Sequence, residues 1–140
     1  MRSSVYQELL AGRSEFGECL LLDYWSENLC RDFVALISDI RDERGNIRLD
    51  LDTLQPVHLR FSVCRRIYIE NDLPDSLVSH LDKMNWGYNE FSSLRVVGSE
   101  EGWLRFRFQW EGARRIDIEC QSFEMTRGEP SRELQERYPW

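Results

Sequence analysis

The sequence predicts an α+β fold: a mostly antiparallel β-sheet or sandwich of about six to seven strands, with one inserted helix and a short N-terminal helix. Three observations carry this. Most of the chain alternates apolar and polar residues over short runs separated by turn residues. Two neighbouring pairs of runs align so that apolar residues meet apolar residues and charges meet opposite charges. Clear helical spacing is confined to residues 5–11 and 73–84.

The elements follow in order. Ser3 and Ser4 precede VYQELLA and Gly12 follows it, which predicts a capped helix over 5–11 with Val5, Leu9 and Leu10 on its apolar face. Residues 18–25, ECLLLDYW, read as a strand with Leu20, Leu22 and Tyr24 on one face and Cys19, Leu21 and Trp25 on the other. Both faces are apolar, so a central strand is expected. Residues 32–41, DFVALISDIR, suit a helix or a strand, and the next segment decides for the strand. With a loop at 42–45, Arg41 opposes Asn46, Ile40 meets Ile47, Ser38 meets Leu49 and Leu36 meets Leu51. On the other face Asp39 meets Arg48, and Gly45 supplies a positive φ.

After Gln55-Pro56, residues 57–70 form a long strand or a strand with a bulge, with Val57, Leu59, Phe61, Val63, Ile67 and Ile69 inward. Arg65 falls in the same odd-numbered set, which predicts a kink or an edge there. Pro74 opens a helix whose stripe is Leu77, Val78, Leu81 and Met84, and Asn85-Trp86-Gly87 stop it. Residues 90–97 are a strand, and 98–102 a polar turn. Residues 103–110, WLRFRFQW, are the clearest strand, with Leu104, Phe106, Phe108 and Trp110 inward. The loop at 111–113 sets Trp110 opposite Arg114, Phe108 opposite Ile116, Phe106 opposite Ile118 and Leu104 opposite Cys120. Arg107 then meets Asp117 and Arg105 meets Glu119, whereas a two-residue loop would put Phe106 against Asp117. This last strand runs over 114–125. Residues 1–125 make one domain, and 126–140 a polar tail with either one helical turn near 131–137 or no fixed structure.

At 140 residues there is room for one domain, and 41% apolar with 31% charged residues argues against wholesale disorder. No apolar run approaches the ~20 residues of a membrane helix, and the first residues lack the apolar stretch of a secretory signal. The cysteines Cys19, Cys30, Cys64 and Cys120 form no C-x-x-C and have no histidine at zinc-finger spacing. Four reduced structural thiols in a cytoplasmic protein are expected, with no metal and no cofactor. The net charge, 18 minus 25 or −7, weighs against general nucleic-acid or anionic-membrane binding. No G-x-S-x-G, Walker A, G-x-G-x-x-G, H-E-x-x-H or H-x-E motif is present, so no catalytic residue is predicted. The binding candidates are acids at loop tips, Glu43, Asp50 and Asp52 on one hairpin and Glu100 and Glu101 on another turn. Trp86 and Trp103 flank turns and are candidate aromatic anchors.

The segment PVHLRFSVCRRIYIENDLP, followed by WGYNEFSSLRV and WLRFRFQWEGARRIDIECQSFEM, resembles the YxiG-like and related small bacterial immunity-type proteins encoded beside polymorphic toxins. The likeness is one of strand order and texture over roughly residues 18–125. It implies an inhibitor with no catalytic residues that binds a cognate toxin and blocks its active site. The expectation is a cytoplasmic immunity protein, monomer or weak homodimer, facing a basic toxin. The alternative is a small-ligand-binding or nucleotide-processing β-rich domain, its pocket lined by His58, Arg60, Arg65 and Arg66.

Overall fold

The computed structural model describes residues 2–42, 44–48, 54–71 and 90–138. Among them are two antiparallel four-stranded sheets, a helix at each end and a 3-10 turn at Ser14–Phe16. Helix α1 spans Arg2–Gly12 and α2 spans Arg132–Arg137. The strands are β1 (Leu20–Glu27), β2 (Asp32–Ser38), β3 (Pro56–Ser62), β4 (Arg66–Glu70), β5 (Ser93–Glu100), β6 (Trp103–Gln109), β7 (Arg115–Cys120) and β8 (Ser122–Arg127). Sheet 1 runs β1-β2-β3-β8 and sheet 2 runs β4-β7-β6-β5. The predicted α+β, mostly antiparallel architecture is the one found. The predicted helix at 73–84 lies outside the described residues.

The strand number exceeds the expected six to seven because two long strands each break in two. Residues 56–70 pass from sheet 1 to sheet 2 at Val63, whose φ is +56°, and residues 115–127 pass back at Gln121. The halves stay paired across the break, β3 with β8 and β4 with β7. The Gln121 N–H donates to the Ser62 carbonyl, and the Arg65 N–H to the Glu119 carbonyl. The kink expected at Arg65 is therefore the corner of the sandwich. One correction follows: Ile69 shares the inner face with Ile67 but is 43% exposed rather than buried, because β4 is the last described strand of its sheet.

The core lies between the sheets. Phe33, Ile37, Leu59 and Phe61 of sheet 1 meet Leu94, Phe106, Phe108 and Ile118 of sheet 2 in one buried cluster. Ring pairs Phe61–Phe106 at 5.1 Å and Phe106–Phe123 at 5.0 Å bridge the layers. Helix α1 closes one end through Tyr6 and Leu10, four residues apart on one face. Val5 and Leu9, expected on that face, are 61% and 42% exposed.

Strand β1 corrects a second expectation. Among the described strands it is the outermost of sheet 1, not a central one. Its second apolar face arises because Leu20 and Leu22 form a separate cluster on the outer side of sheet 1 with Leu36, Leu54 and Tyr138. Leu134 of α2 and Trp25 join that cluster, so the C-terminal helix covers this face. A bulge between Leu21 and Asp23 shifts the phase, which puts Trp25 beside Leu20 and Leu22 and stacks Tyr24 on Phe33. The polar tail thus carries an ordered helix, capped by the Ser131 side chain accepting from the Leu134 N–H.

The hairpin expected at 32–51 is also corrected. Strand β2 pairs with β1 and β3, so Leu36 faces Asp23 and His58 and has no side left for Leu51. Among the described residues, what remains of the predicted pairing is a bridge from Arg41 to Ile47, one residue out of the expected register, while residues 49–51 lie outside them. Asp39 is not on a solvent face against Arg48. It is 1% exposed and accepts from Arg13, from Arg127 at 3.2 Å and from the Arg41 N–H at 2.9 Å. By contrast, β6 and β7 pair in the predicted register throughout, including Phe106 with Ile118 and Arg107 with Asp117.

Candidate functional site

The predicted loop-tip residues fall into two groups. Glu43, Asp50, Asp52 and Trp86 lie outside the described residues. Glu100, Glu101 and Trp103 come together at the β5–β6 turn, where Glu100 pairs with Trp103 across a two-residue loop. Glu101 (φ +48°) and Gly102 (φ +85°) both adopt left-handed backbone, as a tight type I′ hairpin turn requires. The predicted five-residue turn is thus shorter than expected, because a bulge at Val97 carries β5 on to Glu100.

This turn stands beside the sandwich corner. The Arg65 guanidinium lies 4.5 Å from the centroid of the Trp103 ring, a cation–π contact. The same guanidinium donates from Nε to Oε2 of Glu119 at 2.9 Å. Arg105 donates to Oε1 from Nη2 at 2.6 Å and from Nε at 3.2 Å, and Arg66 lies 4.0 Å from the same oxygen. One carboxylate, 5% exposed, therefore anchors Arg65 and Arg105, whose side chains remain 43% and 47% exposed, while Arg66, 71% exposed, stands at the limit of ion-pair distance. The hydrogen bond from Arg105, then that from Arg65, holds the Glu119 carboxyl below the ordinary carboxylate range. The result is a patch of guanidinium and indole with Glu100 at its rim.

A shallow cavity of about 140 Å³ opens between Arg65, Ser99, Glu100, Trp103 and Arg105. Small-molecule sites occupy roughly 300–1,000 Å³, so this one suits a single inserted side chain better than a nucleotide. A second cavity, of about 310 Å³, lies at the foot of the 41–48 hairpin between Asp42, Arg48, Arg127 and Glu129. Its Arg127 is already engaged with Asp39.

The alternative pocket residues do not converge. Arg65 and Arg66 belong to the corner just described. Arg60 sits in sheet 1, where it pairs with Glu27 at 2.8 Å and with Asp32 at 3.2 Å. His58 is exposed in the same strand with its ring against Trp25. Asp32 also accepts from the Asn28 side chain at 2.7 Å and from the Val63 N–H at 3.2 Å, and the Asn28 bond leads in lowering its pKa. These groups bind the β1–β2 turn to the sandwich corner.

The thiols are all free. Burial pushes Cys19 up to about 12, with Asp39 adding to it, and burial likewise pushes Cys64 up to about 11 and Cys120 up to about 12. None of these three is a thiolate at neutral pH. Among the described residues no cluster of three or more His, Cys, Asp or Glu side chains is arranged to hold a metal, and no helix is long and apolar enough to cross a membrane.

Sequence reasoning paired Arg105 with Glu119 but missed that Arg65 and Arg66 join them. The available signal was an arginine standing in the inward phase of an apolar strand. No protein-family model and no curated protein matches this chain.

Proposed function

We propose that this chain is a cytoplasmic immunity-type protein that neutralises a cognate protein toxin by stoichiometric binding and active-site occlusion. The observation that carries the reading is the half-exposed Trp103, stacked against Arg65 at the sheet corner and flanked by Glu100, Glu101 and Arg105. Tryptophan and arginine are the residues most enriched among interface hot spots, and a preorganised anchor loses little entropy on binding. A net charge of −7 favours capture of a basic partner, and four free thiols suit a reducing compartment.

The test is co-expression with a candidate toxin, if an adjacent reading frame encodes one. Protection of cells and a complex stable in gel filtration are expected. Trp103→Ala should raise the dissociation rate by about thirtyfold, the equivalent of ~2 kcal/mol at a hot spot. Reversal of Glu100 and Glu101 to Lys should instead slow association and flatten its salt dependence. Equal killing with and without this chain, with no complex recovered, would refute the reading.

A further inference from the structure

Strand β4 ends sheet 2, bonded to β7 on one side; among the described residues no strand pairs with its other side. The ladder's parity shows which of its peptide groups face out. The Trp110 N–H donates to the Arg114 carbonyl at 3.0 Å, so Arg114 and the even-numbered residues of β7 direct their peptide groups at β6. The odd-numbered Arg115, Asp117 and Glu119 therefore face β4, where they pair with Glu70, Tyr68 and Arg66. This leaves the N–H and C=O of Ile67 and Ile69 directed at the open edge. Exposed edges of this kind are normally blunted by Lys, Pro, a bulge or a covering element. At the opposite edge of the sheet, α1 does this for β5, with Gln7 Oε1 accepting from the Val96 N–H at 2.9 Å. β4 instead presents Tyr68 at 48% and Ile69 at 43% exposure.

The sequence of β4, RIYIE, is complementary to itself. Aligned antiparallel about Tyr68, Arg66 faces the second copy's Glu70, Ile67 faces Ile69, and Tyr68 faces Tyr68. The outward peptide groups of Ile67 and Ile69 then bond each other in both directions, and the tyrosines meet in the closer, non-hydrogen-bonded pair. Sliding the strands by two residues puts Arg66 against Tyr68 and loses both charge pairs. The existing contacts of the charged ends are long, 4.0 Å from Arg66 to Glu119 and 3.7 Å from Arg115 to Glu70, so both can be shared with a facing strand.

We propose that two copies of this chain associate through β4, forming a two-fold antiparallel pair that continues sheet 2 across the dimer. The occupant of the edge is a second copy because the charge pattern, the apolar pattern and the parity of the peptide groups are all satisfied by the same register.

Sedimentation equilibrium on the full chain from about 1 to 500 µM tests it. A concentration-dependent dimer is expected. Arg66→Glu and Glu70→Arg should each weaken it at least about tenfold, since each breaks two symmetry-related pairs and sets like charges opposite. The double variant should return to within about threefold of wild type, because the swapped charges again face their opposites. Ile69→Pro, which removes an outward N–H, should give monomer. Melting curves establish that each variant is folded, and the wild-type series needs no variant at all. A wild type that stays monomeric to 500 µM, or a dimer indifferent to the single reversals or not rescued by the double one, overturns the proposal.

Discussion

Phe106→Ala is the sharpest test of how the sandwich is held together. Phe106 is 0% exposed in the middle of β6. Its ring meets Phe61 at 5.1 Å, Phe123 at 5.0 Å and Tyr6 at 6.0 Å, so it touches sheet 1 at two strands and α1 as well. Truncating a buried aromatic costs about 3–5 kcal/mol, and three edge or tilted ring contacts place this one toward the upper end. Its neighbour Arg107 sits on the outer face, bonded to Asp117 at 2.7 and 3.2 Å with side chains 30% and 16% exposed. Such a pair is worth about 1 kcal/mol at most. For a domain of this size each kcal/mol moves Tm by about 3–5 °C, so Phe106→Ala should lower Tm by ~10–20 °C and Arg107→Ala by less than ~5 °C. Phe106→Leu should recover more than half of the loss. Urea unfolding followed by tryptophan fluorescence gives the free energies. Equal costs for the two truncations, or a larger one for Arg107, would refute the assignment of the two faces of β6.

Three further outcomes are expected. Asp39→Ala should cost about 3 kcal/mol or more in urea unfolding, because it leaves Arg13 and Arg127 partly buried against each other with their shared carboxylate gone; a cost below about 1 kcal/mol would mean that water already screens the cluster. Glu119 and Asp32 have depressed carboxyl pKa values, so the stability they contribute is fully present above about pH 4.5 and is lost as pH falls through their folded-state values. Glu119→Gln should therefore destabilise at pH 7 and shrink the loss seen between pH 5 and 3, and an unchanged acid limb in urea titrations would sink this. Glu90, raised by burial and then by Glu18, opposes that trend. Finally, a thiol reagent should titrate four cysteines in denaturant, while in the native protein the exposed Cys30 reacts first and the buried Cys19 and Cys120 resist; fast labelling of Cys19 would contradict its place in the core.

The fold class and the β6–β7 ladder are legible in the residues alone. In that hairpin a three-residue loop forces one register, and every cross-strand pair within it is satisfied locally, so neighbouring residues carry all the information. The order of strands around the break at Val63 was not legible, because Val57 to Ile69 keeps one odd-numbered phase straight through the corner while the chain changes sheets. Alternation reports which face a residue takes, not which sheet it takes it in. The same limit hid the candidate site. Glu119 gathers Arg65 from 54 residues away, and Asp39 gathers Arg13 and Arg127 from 26 and 88 residues away. Read along the chain, each of those arginines is one more charge on a strand or turn. Only packing two sheets face to face brings them to a common carboxylate, since desolvating it requires partners that sequence neighbours cannot supply.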